Sequence, residues 1–533
     1  MNRRQFAALL SFVIAASCLL AACTKPQSSV VAISHVTVID MTGAPPALDQ
    51  TVLIDKAKII VLGPSNSVSI PYGAKVLDAR GKFLIPGLSD MHVHLTGAGE
   101  PNGSRKFILP LLVANGITTV RDMGGSVELL KGLREEIATG KLLGPQIFFT
   151  GPFLDGSPPA YQSSITVKTA DEARNAVDLL ASEGVDFIKT QSRLDRDAYF
   201  AIAEESKKKG LRFVGHVPDR VSALEASNAG QASIEHLTGV LLACSSKENR
   251  LRAEQFTSGP PGETAENALA RSRAWQRTLL DSYSAEKAAR LFKAFAANGN
   301  WQVPTFPILA HFGFMTPRTD LSRDPRMRYV PRNERTLWSQ GIRERLENRL
   351  ETDFALREEI VKRSLAIAGE MRKAGVRFMA GTDTAAPNVL PGFSLHEDLA
   401  LLVQAGLRPM EALQSATRNP AEFLGHLDSQ GTIAAGKTAD LVLLDANPLD
   451  DIHNTQKIRA VVVRGKLLDR AALDQLLADI EEFVVRNWTY GGPYSSCFSL
   501  FCLVYLTVRI FFIGPPGGPA SSVSVKEVGV MSE

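Results

Sequence analysis

Cysteine is scarce in this chain: five residues in 533, scattered, with no pair spaced as Cys-x-x-Cys. That excludes a disulfide framework and a thiolate zinc site. An excess of one charge is missing as well. Fifty-nine basic residues face 56 acidic ones, a formal net charge of +3. No basic stripe is interleaved with aromatics, so nothing argues for nucleic acid as a partner. Long apolar runs are confined to the two ends. Histidine is rare too, at nine residues, which makes any clustering of it informative. The rest is ordinary globular composition, 45% apolar and 22% charged, enough for one large barrel or several domains.

The ends differ from the middle. Residues 1–22 begin with Arg3 and Arg4, continue as an apolar run and close on small residues, the layout of a secretory leader. Leu20-Ala-Ala-Cys23 resembles a bacterial lipoprotein box, which implies a lipid on Cys23 and a tether over residues 23–29. A plain leader with a chance cysteine is the alternative. The expected place is the bacterial cell envelope, lipid-anchored at the periplasmic face. Thr24, rather than Asp, after the cysteine favours the outer membrane. At the other end, residues 497–514 are nearly continuous apolar sequence broken by Arg509, just reaching the length of a membrane helix. Residues 489–533 therefore form an atypical apolar tail, disordered or membrane-associated, and carry no assigned function.

Between the ends, short alternating or apolar runs broken by Gly, Pro and Asp predict strands over residues 30–85, and again in ADLVLLDANP and IRAVVVRGKLL. From 86 to about 430 the rhythm changes. Runs such as GITTVRDMGG, VDFIKTQ, LRFVGHVPD, ASIEHLTGV, WQVPTF and VRFMAGTDT alternate with helical periods. Repeated βα units predict a parallel sheet under covering helices, and eight of them close a barrel. Residues 245–362 break that rhythm and are expected to be a helical insert, either a lid over the site or a solvated elaboration without a role. Residues 471–488 predict a C-terminal helix.

His92 and His94 stand either side of Val93 in LIPGLSDMHVHL. On a strand, residues two apart point to the same side, whereas on a helix they diverge by roughly 200°. At the carboxyl end of a barrel strand that shared side is the mouth, where barrel enzymes hold their chemistry. Neutral imidazoles there suit a borderline metal such as zinc. An isolated His-x-His is weak evidence, since surface histidines adopt the spacing by chance. Lys189, His216, His236 and Asp383 strengthen it, because each closes a strand-like run and all would meet on one barrel face. An ammonium at the Lys189 strand end is costly to bury.

These motifs resemble the amidohydrolase superfamily: PGLSDMHVHL, GVDFIKT, VGHVPD, SIEHL, GTDT, SLHEDLALLVQAGLRPMEALQSATRNPAEFLG and GTIAAGKTADLVLLDANP. The likeness runs from about Val30 to Ala478 and is nearest to the imidazolonepropionase-like and Xaa-Pro dipeptidase group. It implies an α/β fold, a (β/α)8 barrel over residues 86–430 joined to a small β-sandwich made from residues 30–85 and 431–470. It also implies two divalent metal ions, most readily zinc. His92, His94 and Asp383 would hold one and His216 and His236 the other, with an N6-carboxylated Lys189 bridging them. Asp383 would be the general base and then the general acid. Asp122, Glu235 and His396 are candidates for orienting the ligands.

The function expected on that basis is hydrolysis of an amide or peptide bond in a small molecule, a dipeptide or an N-acyl amino acid. One alternative is the same site acting on an ester, lactone or phosphoester. Another is a lipoprotein that binds ligands without turnover. A mononuclear relative such as a deaminase is disfavoured by Lys189. Tyr161 and His311 are candidate substrate contacts, and Arg220 could meet a substrate carboxylate, although a solvated loop charge is the plainer reading. Oligomeric state is unreadable.

Overall fold

The computed structural model describes residues 29–96 and 103–486, apart from 162, 257–258, 261, 348 and 385. The expected leader, Cys23 and the apolar tail lie outside the described residues. Among the described residues no helix is long and apolar enough to cross a membrane.

The chain opens with β1 (Val31–Val38), β2 (Ala47–Asp55), β3 (Lys58–Pro64), β4 (Lys75–Asp78) and β5 (Phe83–Pro86). Next come β6 (Leu88–Val93), β7 (Ile117–Asp122), β8 (Gln146–Phe149), β9 (Leu154–Asp155) and β10 (Ile165–Thr166). Then follow β11 (Phe187–Thr190), β12 (Arg212–Gly215), β13 (Ser233–Glu235), β14 (Trp301–Val303) and β15 (Arg377–Phe378). The last three are β16 (Leu441–Leu444), β17 (Ile458–Val463) and β18 (Lys466–Leu468).

One sheet joins the two ends of the chain in the order β18-β17-β16-β5-β1-β2-β3, with β4 beside β1. Its central seam is antiparallel, Leu441 opposite Pro86 and Leu444 opposite Phe83. The run LVLL in β16 has no polar alternation because both of its faces are covered. Leu441 and Leu443 pack with Ile33, Val52, Leu84 and Val462 in the small domain's own core. Val442 and Leu444 pack into the main core instead.

The barrel consists of two parallel sheets, β6-β7-β8 and β9-β11-β12-β13-β14-β15 with β10 at the edge beside β9. Both seams between them are closed by backbone hydrogen bonds. Asp186 N–H donates to Phe149 O at 2.9 Å, and Met91 N–H to Ala380 O at 3.0 Å. Val93 and Thr384 form a further parallel bridge. The ring therefore runs β6, β7, β8, β11, β12, β13, β14, β15 and returns to β6, the eight-stranded barrel expected from the βα rhythm. All six residues of β6 and of β7 are buried, as strands covered on both faces must be. Met91, Met123, Phe148, Phe187, Val214, Trp301, Val303 and Met379 pack together with Phe423 and Leu424. Because these come from strands all round the ring, they fill the cylinder, and the helix Arg418–Leu424 closes one end.

Residues 245–362 are not one insert. The seventh barrel strand, β14, lies inside them, and the helices Ala285–Ala297 and Glu351–Lys373 are the crossovers on either side of it. The true additions are the helices Glu248–Glu254 and Ala265–Asp281 before β14 and the segment Phe306–Leu346 after it. A strand of three residues is too short to interrupt a helical pattern in the sequence. The helix Arg470–Arg486 follows β18 and buries Leu473, Ile480 and Val484, a stripe at helical spacing.

Candidate metal centre

His92, at the end of β6, and His94, just beyond it, meet Asp383, which follows β15. One ligand atom from each of the three lies within 4.8 Å of the others, and all three residues are buried. His94 Nε2 is 3.1 Å from Asp383 Oδ1 and His92 Nε2 is 3.5 Å from it. The remaining two histidines stand alongside, with ring centroids 4.6 Å apart for His92 and His236 and 4.9 Å for His216 and His236. Neither Asp383 oxygen accepts a hydrogen bond of acceptable geometry, although both are buried. Buried carboxylates are otherwise hydrogen-bonded, so these oxygens fit a cation ligand.

The outer ring nitrogens support the same conclusion. His92 Nδ1 is 2.8 Å from Glu235 Oε2, His94 Nδ1 is 3.2 Å from the Gly124 carbonyl, His216 Nδ1 is 2.8 Å from Ser192 Oγ, and His236 Nδ1 is 2.6 Å from Thr305 Oγ1. Metal-bound imidazoles are usually oriented in this manner. With Nδ1 engaged, Nε2 is the atom that His92 and His94 turn toward Asp383. The backbone is strained at three of these positions: φ is 57° at His236, 49° at Thr305 and 68° at Asp383. A β-branched residue such as Thr305 rarely adopts that region, and strain of this kind collects at functional sites.

Glu235 also belongs to a buried polar layer beneath the histidines. Its Oε1 accepts from Arg121 Nη2 at 2.9 Å and from Ser233 Oγ at 2.5 Å. The Arg121 guanidinium donates through Nε to Met91 O at 2.8 Å and lies over the rings of Phe187 and Phe423. The cylinder is thus stacked in levels: an apolar plug, then the Arg121–Glu235 pair, then the imidazoles.

Lys189, in β11, is 1% exposed. Burial is the main force lowering its ammonium to about 8, against the raising effect of Glu235 and Asp383. Its alkyl chain rests on β12, where Gly215 has φ 123° and a Cβ would come within 2.4 Å of Thr190 O and 2.7 Å of Lys189 Cδ. Burial also drives His92 well below the usual imidazole range, with Lys189 and His94 adding to the effect, and burial does the same for His236. Burial pulls His94 down as well, but Asp383 and then Asp122 raise it on balance.

Six predicted residues, His92, His94, Lys189, His216, His236 and Asp383, therefore gather at one end of the barrel. Asp122 accepts the backbone N–H of Leu95 at 2.6 Å and of Gly124 at 3.1 Å, fixing the turn that carries His94. His396 does not orient a ligand. It hydrogen-bonds Thr455 at 3.0 Å, while its neighbour Asp398 accepts from Phe306 N–H at 3.0 Å and Gly381 N–H at 3.2 Å. Asp398, absent from the sequence reading, thereby ties the loop of Thr305 to the loop of Asp383. Asp90 was missed as well; it accepts from the hydroxyl of Thr382 at 2.7 Å, and burial raises it to about 7. Tyr161 stacks on Phe153 at 5.1 Å and lines a cavity that reaches His216 and His236. His311 pairs with Glu397 at 3.2 Å and does not line that cavity. Arg220 pairs with Asp195 at 2.9 Å on the surface and does not line that cavity.

Fold and site define a class: parallel barrels that collect metal ligands at the carboxyl ends of their strands. The amidohydrolase family model matches residues 83–271 and 277–468, and the chain belongs to that family. It is similar to adenine deaminase 3 of Rhizobium meliloti (strain 1021), 24% identical over 443 residues, 79% of this chain and 54% of that protein. The chain spans about half the length, or less, of the first curated relatives it matches. Among solved structures, bottromycin amidohydrolase superposes with a TM-score of 0.65 at 22% identity, covering 86% of this chain and 91% of the other. A Xaa-Pro dipeptidase with bound methionine in the active site gives 0.59 at 20% identity, covering 83% and 100%. At such identities the likeness shows the fold.

Proposed function

We propose that this chain is a metal-dependent hydrolase that opens an amide or peptide C–N bond of a small molecule such as a dipeptide or an N-acyl amino acid. The observation that carries the reading is the pair of buried Asp383 oxygens without hydrogen bonds, set among four imidazoles each held through Nδ1. In this reading His92, His94 and Asp383 would hold one divalent ion and His216 and His236 a second. Lys189, its amine nitrogen bonded to the carbon of carbon dioxide with release of a proton, would offer a carboxylate as a further ligand to the ions. Two histidines and a carboxylate suit zinc.

Bound ions would supply Lewis acidity and a water of lowered pKa. The protein supplies the rest. Asp383 accepts the proton of the attacking water and returns it to the leaving nitrogen, base first and acid afterwards. Glu235 holds the His92 ring in one orientation, and Ser192 and Thr305 do the same for His216 and His236. Tyr161, buried beside Phe153, flanks the substrate. The likeness to a Xaa-Pro dipeptidase supports a peptide or amide substrate, and Lys189 speaks against the deaminase reading. Lipid anchorage through Cys23 in the bacterial envelope is part of the same proposal.

The test is purified protein assayed for metal content and for turnover of Xaa-Pro dipeptides, N-acyl amino acids, lactones and phosphotriesters. Two ions per chain with amide turnover support the reading. Turnover confined to lactones or phosphotriesters, or metal-loaded protein inert to the whole panel, rejects it.

A further inference from the structure

The cavity that meets the centre at His216 and His236 extends away from the barrel between the helices Glu248–Glu254, Ala265–Asp281 and Glu351–Lys373. Its walls are chiefly apolar: Val240, Leu241, Trp275, Leu279, Ile360 and Val361 among them. Leu242, Leu251, Trp275 and Leu279 form a small core of their own, separate from the barrel core. The Trp275 indole N–H is satisfied by Leu251 O at 3.1 Å, so the ring contributes apolar surface. The charged side chains in the lining, apart from histidine, are Asp219 and Arg252. Arg252 is committed, since Nη1 donates to the carbonyls of Asp219 at 2.8 Å and Val221 at 2.9 Å, and Nη2 to Glu248 at 2.9 Å.

From this we infer that the substrate carries, on one flank of the bond to be cut, an uncharged apolar group about the size of an aromatic ring, seated in this cavity. The inference rests on the hydrolase reading above and narrows it. The size follows from the volume of about 110 Å³, close to the roughly 150 Å³ of a dry cavity known to hold benzene. The exclusion of charge follows from Arg252, whose Nη1 already serves the Asp219 and Val221 carbonyls and whose Nη2 is paired with Glu248, and from the Asp219 carboxylate that also lines the space. An anion entering this space would lose its hydration and meet an arginine already paired with Glu248, whereas an apolar group gains by leaving water.

The experiment compares matched amides. One series keeps alanine as the leaving amine and varies the acyl group through acetyl, hexanoyl, phenylacetyl and succinyl. The other keeps acetyl and varies the amine through alanine, phenylalanine and glutamate. In one series the ring-bearing member should exceed the smallest in kcat/KM at least tenfold, with the extra carboxylate falling below it, and the series that responds identifies the flank. Leu279→Trp fills the cavity and should cut that selectivity at least tenfold at unchanged metal content; Val361→Phe serves if the first variant does not fold. Equal kcat/KM along both series, or preference for succinyl or glutamate, overturns the inference while leaving amide hydrolysis standing. If no amide is turned over, the hydrolase reading fails by itself. Calorimetry with phenylacetamide against acetamide, on the wild type and Leu279→Trp, then decides the cavity: tighter binding of the ring, lost in the variant, upholds it and equal binding rejects it.

Discussion

Replacing Glu235 by Gln tests the layer beneath the histidines. The carboxylate receives a charged donor, Arg121 Nη2 at 2.9 Å, and faces His92 Nδ1 at 2.8 Å, and both Glu235 and Arg121 are fully buried. Breaking a buried pair from one side leaves an uncompensated charge and costs about 3–5 kcal/mol. Glutamine keeps one acceptor oxygen, so the loss should fall near the lower end, about 3 kcal/mol. Weakening the support of a metal-binding imidazole usually costs 10–100-fold in metal affinity. Urea unfolding of the metal-free protein reads the first quantity and competition with a chelator reads the second. Adding Arg121→Met to the variant removes the stranded guanidinium, so the two changes together should cost clearly less than their sum. Strict additivity, or metal affinity within twofold of wild type, would refute the argument that Arg121 and His92 share one carboxylate.

Asp383→Asn should abolish turnover with the melting temperature little changed; substantial activity in metal-loaded protein removes Asp383 from the proton transfer. Gly215→Ala should lower stability by about 2 kcal/mol or more and reduce metal content, because the new Cβ meets Thr190 O at 2.4 Å and the stem of Lys189 at a φ that alanine resists. A variant of normal stability with full metal content contradicts that close packing. One contribution to the pH dependence comes from His396, which burial lowers to about 4 against about 6.5 for a free imidazole. Between those values the unfolded chain binds a proton at His396 that the folded chain refuses, so the His396 contribution to stability rises with pH across that window, opposed by Asp90, which burial raises to about 7. On the acid side of the window the His396 contribution is poorer by up to about 3 kcal/mol. His396→Leu should flatten the difference between urea midpoints measured at pH 7 and pH 5; an unchanged difference assigns the slope elsewhere.

The barrel was legible because its strands end in chemistry-bearing residues at βα spacing, and His92 with His94 obeys the two-residue repeat of a strand. The same geometry explains the error at His396. It lies on the helix Phe393–Gln404, where a residue two positions along points almost the opposite way. Asp398 therefore reaches the strand ends and His396 does not. Ser192, Thr305 and Arg121 were illegible for another reason. Their contacts to His216, His236 and Glu235 span 24, 69 and 114 positions, and a hydroxyl or guanidinium at such distance leaves no local pattern. The strand β14 was seen as a run, yet its three residues could not offset the helical signal on either side.

β5 has β1 on one flank and β16 on the other, so its second edge waits for residues made some 350 positions later. At about 5–20 residues per second, a nascent chain shows that bare edge for tens of seconds before its match emerges. During that interval the bare edge is open to pairing between two newborn copies. Any truncation that ends before Leu441 makes the exposure permanent and yields a protein prone to aggregate, even with His92, His94 and Asp383 intact.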